Sequence, residues 1–309
     1  MPFPMIPATH VRSFWGSLMN NVTGSLLVIA AMLGFATADM FMKQLTGSLH
    51  PGQVLMGLGC GSGAIFLSIV LLTRAPLFDR KNWTPLLLLR SASEAASGVM
   101  FTLALSRIDL STAAAIFQAM PLILTLLAAM FLGETVGWRR WSALAIGFAG
   151  VLLIVRPGLS GFNVNALLVL GAATGIAIRD ILTRRIDPAV SSHVVALQGF
   201  LGFFIAGTIL MALSGAQFQS LSPTDLGRYA GAALFGAAGY WAIVNAMRIG
   251  EASAVAPFRY TRLVFAMALG VLILGERPDA LTFAGSALIV AAGLYTFLRE
   301  QKLARDASS

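Results

Sequence analysis

Two stretches of this chain, 141 residues apart, spell one helix twice. Leu26, Leu27, Val28, Gly34, Ala36, Asp39 and Lys43 recur as Leu167, Leu168, Val169, Gly175, Ala177, Asp180 and Arg184. A second match follows at an offset of 142. There Ala104, Ser111, Ala114, Leu127, Leu132, Gly133 and Glu134 return as Ala246, Ser253, Ala256, Leu269, Leu274, Gly275 and Glu276. Such duplication is a common way to build a secondary transporter.

The repeated unit is a membrane unit. Only 11% of the 309 residues are charged, 57% are hydrophobic, and the mean hydropathy is +0.82. A soluble domain averages about a quarter charged residues. Ten apolar stretches lie near residues 21–43, 51–73, 83–105, 109–132, 138–155, 163–183, 190–213, 226–248, 252–274 and 279–298. Each is long enough to span about 30 Å of hydrocarbon. The expected fold class is an all-α polytopic membrane protein of ten transmembrane helices, arranged as two inverted five-helix repeats. The repeats take residues 21–157 and 158–299, between a cytoplasmic tail at 1–20 and another at 300–309.

Inversion follows from parity. Five spans is an odd number, so the second copy enters the membrane upside down relative to the first. Similar sequences in opposite orientation create a pseudo-two-fold axis in the membrane plane, with a site near the midplane between the copies. Two such halves can rock and expose that site to either side in turn.

The net charge of +8 is a statement about orientation. With the N-terminus inside, twelve Lys and Arg residues fall in cytoplasmic segments, among them Arg74, Arg80, Lys81, Arg139, Arg140 and Arg299. Five fall outside: Lys43, Arg107, Arg156, Arg228 and Arg277. This positive-inside bias places both termini in the cytoplasm and argues against a nucleic-acid partner. Ala36-Thr37-Ala38 after an apolar run resembles a signal-peptidase site. The same segment returns as an internal helix, so the first span is read as retained.

An enzyme would need a nucleophile with its base, or a metal cluster. The chain has one cysteine, Cys60, and three dispersed histidines at 10, 50 and 193. It is read as a non-enzyme without a cofactor. A channel would need a filter or a charged ring, and no such pattern is visible. No ATP-binding motif is present, so transport would run on gradients or exchange.

Several short motifs follow one another through the chain. Leu89-Arg90-Ser91 comes first, then Ala113-Ala114 leading to Met120-Pro121-Leu122, Leu132-Gly133-Glu134, and the run from Gly147 to Pro157. The second half has Leu274-Gly275-Glu276 and the run from Gly285 to Tyr295. In this order the chain resembles the drug/metabolite transporter superfamily, of the ten-helix EamA type, over residues 21–299. The resemblance implies transport of small metabolites, a central cavity shared by the halves, a bacterial inner-membrane location, and peripheral fifth and tenth helices. Many relatives carry an arginine in the second span. Here that span reads Gly57-Leu58-Gly59-Cys60-Gly61-Ser62-Gly63, a surface suited to close backbone approach.

Charges inside spans are costly and usually face the bundle interior or a wet cavity. Arg90, Ser93, Glu94 and Ser97 form one stripe on the third span at i, i+3, i+4 and i+7. Arg90 and Glu94 read either as an i,i+4 pair that fixes packing or as a cavity wall. The two serines favour the wall. On the ninth span, Arg259, Tyr260 and Arg262 follow Pro257, whereas the matching positions of the first copy are Phe117, Gln118 and Met120. A cation present in one copy suits an asymmetric ligand better than a shared scaffold. Snorkelling to the cytoplasmic face is the alternative for Arg259.

Arg179 is likewise unmatched, with Ala38 at the equivalent position. Asp39 and Asp180 read as proton carriers or as i,i+4 partners of Lys43 and Arg184; the spacing favours the pairs. With those pairs made, positive charge is left over on the sixth and ninth spans. Glu134 and Glu276 read as interfacial anchors at helix ends. Gln118, Pro121 and Thr125 line up on the fourth span. Trp241 and Asn245 share a face on the eighth, beside Tyr240, either packing or stacking on a solute. The cavity candidates are therefore Arg90, Glu94, Gln118, Arg179, Trp241, Asn245, Arg259, Tyr260 and Arg262. The expected substrate is a small polar metabolite bearing a carboxylate or several carbonyls: amino-acid-like, S-adenosylmethionine-like or riboflavin-like. The expected partners are that metabolite and the lipid bilayer; a homodimer is left open.

Overall fold

A computed structural model describes residues 8–131, 137–157, 163–183, 185–187, 189–249 and 255–308, and among these every regular element is helical. The first half holds α1 (Ala8–Ser48), α2 (Pro51–Leu72), α3 (Pro85–Leu105), α4 (Leu110–Phe117), α5 (Met120–Phe131) and α6 (Trp138–Val155). The second holds α7 (Asn165–Thr183), α8 (Ser192–Ser214), α9 (Pro223–Ile249), α10 (Thr261–Leu272) and α11 (Ala280–Ser308). By length and composition, seven helical stretches among the described residues can cross a bilayer, and residues 141–155 form a shorter apolar helix. The first helix begins at Ala8, so part of the expected N-terminal tail continues α1.

Local sequence explains several boundaries. Pro51 and Pro85 occupy the first turns of α2 and α3, where a missing N–H costs nothing. His50 and Thr84 cap the same two helices by accepting from the Gly52 and Leu87 amides. The α8 helix ends on Gly215 at φ 63°, a left-handed conformation that glycine adopts freely.

The fourth expected span is two helices, α4 and α5, joined through Gln118 and Ala119. Pro121 has no N–H for the Phe117 carbonyl, and its ring crowds that carbonyl. The Ala119 amide turns back to Ile116 at 3.0 Å, a tightened last turn. The ninth span is broken at nearly the same place in its repeat. A 3-10 turn at Ala256–Tyr260, containing Pro257, precedes α10.

Packing is reciprocal between the halves. Helix α1 lies mainly against α9, and its repeat equivalent α7 lies against α3, the equivalent of α9. Helices α2 and α8 pack on each other, as do α6 and α11. The α6–α11 crossing is tight enough to require glycine. A Cβ on Gly150 would stand 2.6 Å from the Gly285 carbonyl oxygen, and one on Gly285 would be as close to Gly150. In α2, Gly59 meets the α8 backbone in the same way, 2.6 Å from the Phe204 nitrogen. Gly61 and Gly63 have ordinary room.

Candidate functional site

Between the halves lies a cavity of about 910 Å³, lined by α1 to α5 of the first half and by α7 to α11 with the 256–260 turn of the second. Helix α6 contributes nothing to its wall, whereas α11 contributes Gly293, Thr296 and Phe297. The cavity extends to the connection after α7, where Thr183, Asp187 and Ser192 line it. Both helix breaks face it: Gln118 and Pro121 on one side, Arg259 and Tyr260 on the other. Irregular backbone at this depth suits a chain that lines a polar cavity, because freed backbone groups there meet water or ligand.

Seven of the nine expected residues come together here: Arg90, Glu94, Gln118, Arg179, Arg259, Tyr260 and Arg262. Trp241 and Asn245 do not. Trp241 is 63% exposed on α9, and Asn245 donates to the Trp241 carbonyl at 2.7 Å. Their neighbour Tyr240 lines the cavity instead, with its hydroxyl 3.1 Å from the Ser192 carbonyl. One residue along a helix turns the side chain by about 100°, and that difference separates Tyr240 from Trp241.

The charges form a connected group. Arg90 donates to Glu94 at 2.9 Å and to the Thr183 hydroxyl at 3.0 Å. The other Glu94 oxygen accepts from Arg179 at 2.7 Å, and Arg179 also holds Asp180 at 2.7 Å. Glu94 thus bridges one guanidinium from each half. Ser93 and Ser97, in the same stripe, bond the Gly175 and Ala172 carbonyls of α7 at 2.8 and 2.6 Å. They fasten α3 to α7, so only part of the stripe is cavity wall.

The expected pairing of Asp39 with Lys43 is replaced by two others. Asp39 pairs with Arg262, at 2.6 Å, and not with Lys43. Lys43 donates instead to the Leu105 and Ile108 carbonyls, both at 2.7 Å, at the end of α3. An i,i+4 pair contributes about 0.2–0.5 kcal/mol, while each buried carbonyl left without a donor costs about 1–3 kcal/mol. The carbonyls therefore take the lysine. Asp180 is held by its neighbour Arg179, while its expected pair with Arg184 falls on a residue outside the described ones.

Glu276 is no interfacial anchor. It is 8% exposed, and its carboxylate accepts the Leu110 and Ser111 amides at 2.6 and 2.9 Å and the Ser111 hydroxyl. It caps α4 from 165 residues away, where a helix N-terminus favours an anion. Glu134 lies outside the described residues. With the Lys43 bonds and two backbone links, the Glu276 cap ties helix ends together at one end of the bundle. There Gln53 forms a two-way pair with the Gln219 backbone, at 2.7 and 3.0 Å, and Tyr229 bonds the Gln53 carbonyl at 3.0 Å.

Sequence reasoning also missed a ring cluster. Phe200 and Phe203 line the cavity from α8, and Phe66, 2% exposed, stacks behind Phe200 at 5.4 Å and meets Tyr240 edge-on at 5.0 Å. The signal lay in Gly199-Phe200-Leu201-Gly202-Phe203, which sets two rings at i and i+3 beside small residues.

Comparison with known proteins agrees with this architecture. An S-adenosylmethionine uptake transporter of Rickettsia bellii is 27% identical over 281 residues, covering 89% of this chain and 93% of that protein. A pseudopaline exporter of Pseudomonas aeruginosa is 26% identical, covering 87% and 94%. A riboflavin transporter of Vibrio cholerae is 30% identical over 193 residues, covering 62% and 63%. A solved crystal structure, 20% identical in sequence, superposes with a TM-score of 0.63 over 91% of this chain and 99% of that one, and so shares the fold. The EamA-like transporter family matches residues 22–156 and again residues 164–298, once over each half, and the chain therefore belongs to that family of metabolite transporters.

Proposed function

We propose that this chain is a ten-span carrier of a bacterial inner membrane, with both termini cytoplasmic and two oppositely oriented repeats of five spans. It moves a small organic metabolite bearing a carboxylate or carbonyl groups by alternating access, driven by gradients or exchange. The supporting observation is the 910 Å³ cavity, to which both halves contribute and in which four guanidiniums face the carboxylates of Asp39, Glu94, Asp180 and Asp187. Pockets of about 300–1,000 Å³ enclose metabolite-sized ligands. Charges at this depth are tolerated where they pair or meet a polar ligand.

Reciprocal packing supports the carrier mechanism. The principal helix pairs of one half have counterparts in the other, so a rocking motion exchanges two similar arrangements. The cavity reaches the 183–192 connection, which carries Arg184 and Arg185 and falls on the cytoplasmic side by charge bias. In this arrangement the carrier faces the cytoplasm.

Relatives named for S-adenosylmethionine uptake, riboflavin transport and pseudopaline export give the first compounds to try. The purified chain in liposomes is expected to move at least one metabolite with saturable kinetics and counterflow. Flux that rises linearly without saturation would replace the carrier with a channel.

A further inference from the structure

The four guanidiniums of the cavity are not equivalent. Arg90, Arg179 and Arg262 each hold a carboxylate at 2.6–2.9 Å. Arg259 makes no ion pair among the described residues, and its side chain is exposed on the cavity. The charges acting on it are the Asp180 carboxylate and the Arg179 and Arg262 guanidiniums. Asp180 is already bonded twice by Arg179, at 3.0 and 2.7 Å. The carboxylates of the spans that line the cavity, Asp39, Glu94 and Asp180, are each held by another guanidinium, so Arg259 faces the cavity with no carboxylate bonded to it among the described residues. Its 3-10 turn is also braced: Tyr260 abuts Gly293 of α11, where no Cβ would fit, and the Thr261 hydroxyl bonds the Phe258 carbonyl at 2.6 Å. A guanidinium on a fixed turn, with its charge unspent, is built to receive a ligand.

The same cavity carries a preassembled aromatic face. Phe200 and Tyr240 are both backed by the buried Phe66, and Phe203 meets Phe200 edge-on at 5.8 Å. These rings have few rotamers to lose and present flat apolar surface to the cavity.

We propose that the site is bipartite: Arg259 takes a single anionic group, a carboxylate or phosphate ester, while Phe200, Phe203 and Tyr240 stack on a planar ring of the same substrate. The substrate class is then a heteroaromatic compound with an anionic tail. Arg262, neutralised by Asp39, is a strut between halves and not the anion's ligand. This deepens the carrier reading and rests on it.

The test begins without choosing a substrate. Liposomes holding the full-length protein are incubated with a bacterial small-molecule extract, or loaded with it for efflux, and the compounds moved are identified by mass spectrometry. The expected compounds carry both a planar ring and an anionic group, and their identity separates carboxylates from phosphate esters. If compounds are moved that lack either feature, the bipartite site is overturned and the carrier stands. If nothing is moved in either direction, both fall.

For the compound found, Arg259→Gln should raise KM at least about tenfold, the loss of one charge-assisted hydrogen bond. Arg259→Lys should recover most of it. Phe203→Leu should raise KM by about threefold or more through lost ring contact. An unchanged KM in Arg259→Gln overturns the assignment. Should Arg259→Gln fail to fold, as judged by gel filtration, Arg259→Lys and Phe203→Leu decide the matter: a wild-type KM in Phe203→Leu overturns it.

Discussion

Asp39 of the first repeat and Arg262 of the second meet at 2.6 Å across 223 residues of chain. The guanidinium lies between two rings, 5.6 Å from the Phe35 centroid and 5.4 Å from that of Phe117. The pair therefore joins α1 to the start of α10 in a setting where neither charge has water as a full alternative.

Breaking one partner of such a pair strands the other. Asp39→Asn is expected to lower stability by about 3–5 kcal/mol, the usual cost of an uncompensated buried charge. The double variant Asp39→Asn with Arg262→Gln should be more stable than either single change. Thermal unfolding of the purified protein in detergent measures all three; equal melting temperatures for the single and double variants would contradict the pair.

Glu276 caps α4 from the other half and is expected to hold that end of the bundle closed. Glu276→Gln keeps the shape and removes the charge, so that end should open more often. In a Cys60→Ser background, a cysteine at Thr102, fully buried at the cavity floor, should then react several-fold faster with an impermeant thiol reagent added outside. No change in labelling would remove Glu276 from that closure.

Opposite orientation of the repeats has a direct signature. Asp79, between α2 and α3, corresponds at the 141-residue offset to Ser220, between α8 and α9. Single cysteines at these positions should label from opposite sides of the membrane, Asp79 from the cytoplasm. Labelling from one side would refute the inverted repeat.

Trp241 points away from the cavity with 63% of its surface exposed. Trp241→Leu should leave KM within about twofold of wild type, since an exposed apolar swap away from the site changes little. A larger rise in KM would bring the residue back into the site.

Gly150 and Gly285 let α6 and α11 touch backbone to backbone. Gly150→Leu should destabilise by at least about 1–3 kcal/mol through overpacking, read as a lower melting temperature with KM unchanged, because α6 does not line the cavity.

Much of this protein is written along the chain. Runs of apolar residues mark the membrane segments, since each must satisfy its own backbone in hydrocarbon. The 141- and 142-residue offsets expose the duplication, and the unmatched Arg179, Arg259 and Arg262 point to the asymmetric cavity. Spacing rules went astray where the choice lay between near and distant partners. Lys43 stands four residues after Asp39, yet it serves two carbonyls at the end of α3 while Asp39 turns to α10. Glu276 lies in a connecting segment, yet it caps a helix of the other half. Linear spacing reports which groups share a helix face. Which buried group finds which partner depends on the competition among all donors and acceptors that folding brings within 3 Å, and that competition exists only once the helices have packed.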